Sequence, residues 1–135
     1  MDIMVWVWCD TELEPSVGAG MSDVDSIEEF RDSAYNLLPS MVESYYENYR
    51  DFEDLIAQAA KECEYEIKHK HAESEQDRES ITTEIAKRVF GRLCVSYEID
   101  GKFIDGDLGL DSSIFTEQLY EILLEDLMNK INRME

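Results

Sequence analysis

Carboxylates are the chemistry this sequence holds in excess. Asp and Glu number 32 against 12 Lys and Arg, for a net charge of −20. The excess is uneven: residues 1–66 carry 17 acids and 3 bases, residues 67–135 carry 15 acids and 9 bases. On a helix over residues 40–67, at about 100° per residue, Glu43, Glu47, Asp51, Asp54 and Glu62 fall within roughly 100° of arc. Met41, Tyr45, Tyr49, Phe52, Ile56, Ala60, Cys63 and Ile67 fall opposite them. One face then reads as core and the other as an anionic ridge. Tyr46 lies outside the core arc, at the edge of the ridge, where an exposed aromatic could anchor a partner. The plainer alternative puts it with Tyr35, Tyr45 and Tyr49 at the rim of a tyrosine-rich core.

Such a ridge works against its own helix. Like charges four residues apart destabilise a helix by a few tenths of a kcal/mol. Arg50 and Lys61 are the only bases between Glu43 and Glu66. One helical turn separates such carboxylates by about 6 Å, near the spacing of neighbouring phosphates along a nucleic-acid strand. Lys and Arg arranged for phosphates can meet carboxylates at that pitch, and Arg pairs bidentately with either anion. A solubility face is the competing account, but net −20 exceeds what solubility asks of a small domain.

Other chemistry is weaker. Cys9, Cys63 and Cys94 are too few and odd in number for a disulfide framework, which suits a reducing compartment. His69 and His71 are two residues apart, so on a helix they diverge, and no second cysteine pair completes a zinc site with Cys63. Asp100, Asp105, Asp107 and Asp111 lack the ligand spacing of a calcium loop. No phosphate-binding glycine loop, nucleophile elbow or zinc-protease motif is present. The expectation is a binding protein with no catalytic residues, no metal and no cofactor.

The elements that position the ridge follow from pattern. Residues 3–9 read as a strand, apolar on both faces and so covered on both, by helices or by a partner. Residues 10–25 read as an acidic loop with Pro15, Gly18 and Gly20. Ser26-x-x-Glu29 is a capping box opening a helix that Pro39 stops or kinks. Ser40-x-x-Glu43 is a second capping box, opening the long helix to about residue 67. A third helix is expected from about 77 to 93, and a hairpin over 94–104 turning at Asp100-Gly101. A last helix is capped by Asp111, Ser112 or Ser113. The fold class is α+β: one domain over 1–135, of about four helices with a short N-terminal strand and a small hairpin.

The ridge Glu43, Glu47, Asp51, Asp54 and Glu62, with the acids preceding it, resembles in size and charge pattern the phage-encoded acidic inhibitors of host defence. That group includes DNA-mimic antirestriction and anti-CRISPR proteins, and the likeness covers about half the chain. It implies blocking the basic nucleic-acid groove of a nuclease, restriction or CRISPR complex by occupancy. Two alternatives stand beside it: an immunity protein or antitoxin neutralising a nuclease toxin, and an adaptor using Trp6 and Trp8 as an apolar interface. In each case the expected partner is a protein, basic in the first two, not nucleic acid, which a −20 surface repels. A homodimer would lengthen the mimicked duplex. The short apolar N-terminus lacks a basic flank, and no apolar run approaches a membrane span, so a cytoplasmic location is expected, that of the host cell if the chain is phage-encoded.

Overall fold

The computed structural model describes residues 1–133. The chain is α+β, with its sheet at one side of a helical layer. β1 (Ile3–Cys9) is central in a four-stranded antiparallel sheet of order β2-β1-β3-β4. β2 is Ser16–Met21, β3 is Leu93–Ile99 and β4 is Lys102–Ile104. Its alternation is sharp: Ile3, Val5, Val7 and Cys9 are buried, whereas Met4, Trp6 and Trp8 are half-exposed. The helices pack on the first set only, so within the chain the helical layer covers one face of β1 and not the other.

β2 replaces the expected acidic loop, and its glycines have a packing reason. Gly18 pairs with Trp6 and Gly20 with Met4. A Cβ on Gly18 would lie 2.6 Å from Trp6 Cε3, and one on Gly20 would strike Met4 Sδ. The side chains of β1 lie across bare backbone, a known use of strand glycine. Trp6 Nε1 donates to Glu98 at 3.0 Å and Trp8 Nε1 to Ser96 at 2.8 Å, which ties both indoles to β3.

The Asp100-Gly101 turn joins β3 to β4 with φ of 51° and 84°, the left-handed pair that this dipeptide favours. Asp2 and Asp100 brace the sheet end: Asp100 Oδ1 accepts the Asp2 N–H at 2.8 Å, and Asp2 Oδ1 accepts the Asp23 N–H at 3.1 Å.

α1 (Ile27–Ser33) begins at Ser26, whose hydroxyl accepts the Glu29 N–H at 3.1 Å. The reciprocal carboxylate bond goes one residue further out, from Asp25 N–H to Glu29 at 2.7 Å. A 3₁₀ turn, Ala34–Leu37, then leads into α2 (Leu38–Glu47). Pro39 therefore sits in the first turn of α2, where no helical donor is needed, and Ser40 caps nothing. The helix expected over 40–67 is broken: α2 ends at Glu47, and α3 runs from Tyr49 to His69. Asn48 makes the break, with φ −106° and ψ 28°, and its side-chain amide donates to Ser44 O at 2.9 Å.

α4 (Glu75–Phe90) is capped by Ser74, which accepts the Asp77 N–H at 3.1 Å. α5 (Ser113–Asn132) follows Asp111, whose carboxylate accepts the Ser113 N–H at 3.0 Å. That bond holds the Asp111 carboxyl below its ordinary range. α5 packs against α3, α4 and β3, and α2 packs against β2. Phe30, Phe52, Phe90, Phe115, Leu55, Leu123 and Leu127 fill the shared core.

Candidate partner-binding surface

The ridge residues fall on two helices. Met41 and Tyr45 of α2 and Phe52, Leu55 and Ile56 of α3 face the core. Tyr45 spans the break: its ring meets Tyr49 at 5.6 Å and Phe52 at 5.6 Å, edge to face. Its hydroxyl donates to the Asp126 carboxylate of α5. Burial, then that bond, raises the Tyr45 hydroxyl far above an ordinary phenol. The inward face is thus continuous across Asn48 even though the helix is not.

Glu43, Glu47, Asp51 and Asp54 all stand exposed. Glu53, beside them, is exposed too. None of these five side chains makes an ion pair or hydrogen bond among the described residues, where the ion pairs are Lys68–Glu64, Lys70–Glu66 and Arg88–Glu62. Glu62 therefore differs from the other four expected members. It is half-buried and held by Arg88 at 2.9 Å, which neutralises it.

The break also changes the energetics. Asp51 lies in the first turn of α3, where the helix dipole favours a negative charge. Glu47 is the last residue of α2, where the same dipole opposes it, and that last turn holds no base. The one-turn carboxylate pitch accordingly does not run unbroken from 43 to 62.

Tyr46 is 65% exposed, outside the core as its position on the wheel implied. Tyr35, of the preceding 3₁₀ turn, is equally exposed. The two flank a shallow concavity of about 680 Å³, floored by Leu38, Pro39 and Val42 with Glu43 on its margin. The tyrosine-rich-core alternative puts Tyr35 at a core rim, whereas in the 3₁₀ turn it stands exposed beside the notch.

A second surface is the open face of the sheet. Met4, Trp6, Trp8, Ser16, Gly18, Gly20, Cys94, Ser96, Glu98 and Phe103 share it by register, and Glu98 is the one charged residue among them. Phe103 is 68% exposed. In a chain with one third of its residues charged, that face is compositionally distinct.

The remaining candidates have local roles. Tyr65 stacks on His69, with ring centroids at 5.7 Å and planes 8° apart. Asp107 accepts the Gly109 N–H at 2.9 Å and shapes the loop before α5. Cys9 and Cys63 are buried, and burial pushes each thiol up to about 11. Among the described residues no group of three His, Cys, Asp or Glu side chains is placed to hold a metal, and no helix is long and apolar enough to cross a membrane. Comparisons of the chain with protein-family models, with curated proteins and with solved structures gave no match.

Proposed function

We propose that this protein is an acidic, non-enzymatic inhibitor that occupies the basic nucleic-acid groove of another protein in the cytoplasm. The supporting observation is the set Glu43, Glu47, Asp51 and Asp54, exposed and unpaired among the described residues, with Glu43 on the margin of the Tyr35–Tyr46 notch. Carboxylates left without internal partners retain their full interaction energy for external cations. Arginine is the side chain best suited to both parts, because it bridges a carboxylate bidentately and stacks on a tyrosine face. Complementary potentials of this kind speed association and make it salt-sensitive.

The test is capture of basic proteins from a bacterial lysate on the immobilised chain, followed by elution with duplex or single-stranded DNA. The mimic reading requires that nucleic acid release the captured protein. A complex that survives excess DNA and yields only to detergent would overturn it. An immunity protein acting on a nuclease toxin shares this electrostatics, and a captured protein that is itself a toxic nuclease would select it.

The adaptor reading draws support from the open sheet face, where two half-exposed indoles and the exposed Phe103 lie with a single carboxylate. Exposed aromatic faces of this kind are typical interaction sites. Assembly lost on Trp6→Ser/Trp8→Ser but retained when Glu43, Glu47, Asp51 and Asp54 become amides would favour that reading.

A further inference from the structure

Cations are scarce in this chain, yet four of its 12 Lys and Arg side chains line one cavity. The cavity lies where α3, the start of α4 and the end of α5 meet, and it measures about 520 Å³. Its apolar lining is Ala57, Ala60, Ile67 and Ile131, and its cations are Lys61, Lys68, Arg78 and Lys130. Five of the nine lining residues are charged, and the volume falls within the range of small-molecule sites, about 300–1,000 Å³.

The α3 share of the lining has a helical cause. Ala57, Ala60, Lys61, Glu64, Ile67 and Lys68 recur at three- and four-residue spacing, so they form one stripe. Small residues at 57 and 60 leave room between α3 and α5.

Glu64 is the one acid in the lining, and Lys68 already pairs with it at 3.0 Å. Lys61, Arg78 and Lys130 have no ion pair among the described residues. Arg78 is half-buried and steadied by its Nε–H bond to Ala72 O at 3.3 Å. A smaller cavity of about 220 Å³ beyond Arg78 holds Glu75 and Glu79, which temper the positive potential from that side. The main cavity still carries a local positive excess inside a molecule whose overall field repels anions. No anion would be gathered there by general attraction, so the ligand has to bring apolar surface as well as charge.

We infer that this cavity binds an amphipathic monoanion, a carboxylate on an apolar body, with its head among Lys61, Arg78 and Lys130 and its body on Ala57, Ala60, Ile67 and Ile131. Octanoate is a suitable probe, with 1-octanol and inorganic phosphate as its apolar and anionic halves. Titration of the full chain, followed by calorimetry and by amide shifts at Ala57, Ala60 and Ile131, should show saturable octanoate binding. Charge-assisted hydrogen bonds imply that octanol binds at least about tenfold more weakly, and phosphate alone should be weaker still. Lys61→Glu/Lys130→Glu, both at exposed positions, should lose at least about tenfold in octanoate affinity. Lys87→Glu/Lys102→Glu changes net charge equally at exposed sites outside the lining and should leave affinity within about twofold, as screened surface charges do. Equal binding of octanol, equal binding of phosphate, equal loss in both double variants, or no saturable binding would each overturn the inference.

Discussion

Glu47 and Asp51 are four residues apart, equally exposed and equally charged, yet the break at Asn48 gives them opposite effects on stability. Glu47 closes α2 in a turn with no base, and it faces Glu43 one turn back. Relief of that pair gains about 0.3–0.5 kcal/mol. Relief of the unfavourable dipole contact at an exposed helix end gains a few tenths more. Glu47→Gln should therefore stabilise the fold by about 0.5–1 kcal/mol, which raises Tm by about 2–4 °C in a domain of this size. Asp51→Asn removes a charge that the α3 dipole favours while easing repulsion with Asp54, so it should lower stability by a few tenths of a kcal/mol. Melts followed by circular dichroism should then move in opposite directions. Both effects should shrink near 1 M salt, where the screening length is about 3 Å. If both amides stabilise alike, repulsion across the whole molecule governs these positions and the separate ends of α2 and α3 have no energetic meaning.

Other outcomes follow from particular contacts. Asp126→Ala leaves the fully buried Tyr45 without its acceptor and should cost about 2 kcal/mol. Tyr45→Phe/Asp126→Ala should recover part of that loss in urea titrations, as coupled neighbours do. Gly18→Val places a branched side chain where Trp6 lies and should cost about 1–3 kcal/mol, with a red shift in tryptophan emission as the indole leaves Glu98. Cys9 and Cys63 keep their protons in the folded state up to about 11, above the 9.0 of an ordinary thiol, because they are buried. A group raised on folding favours the native state below its unfolded value and loses that contribution as pH climbs through its folded one. Thermal stability should thus fall between pH 9 and 11, and Cys63→Ala should flatten that fall.

The sequence carried the α+β class where local chemistry was unambiguous. The β-branched and aromatic run at 3–9, the Asp100-Gly101 turn, the Ser26 cap and the apolar stripe of α5 each specify their element without help from distant residues. β2 was hidden because Gly18 and Gly20 read as loop residues. Their reason lies across the sheet, in Trp6 and Met4, and no local window contains it. The break at Asn48 was masked by an unbroken hydrophobic stripe from Met41 to Cys63, since Tyr45 and Phe52 maintain the core face through the kink. Asn48 itself was the available signal, being a residue whose amide competes for backbone bonds. Four of the five expected ridge carboxylates stand free, whereas Arg88, 26 residues further along, takes Glu62. The cationic cavity draws on positions 61, 68, 78 and 130, which only tertiary packing brings together.

The most direct test of the proposed groove-blocking role measures one affinity twice. Kd for a DNA-displaceable partner is determined for the native chain and for Glu43→Gln/Glu47→Gln/Asp51→Asn/Asp54→Asn, at low and at high salt. Weaker binding by the amide variant, with a shallower dependence on salt, is the predicted result. Unchanged affinity and an unchanged salt slope would contradict it.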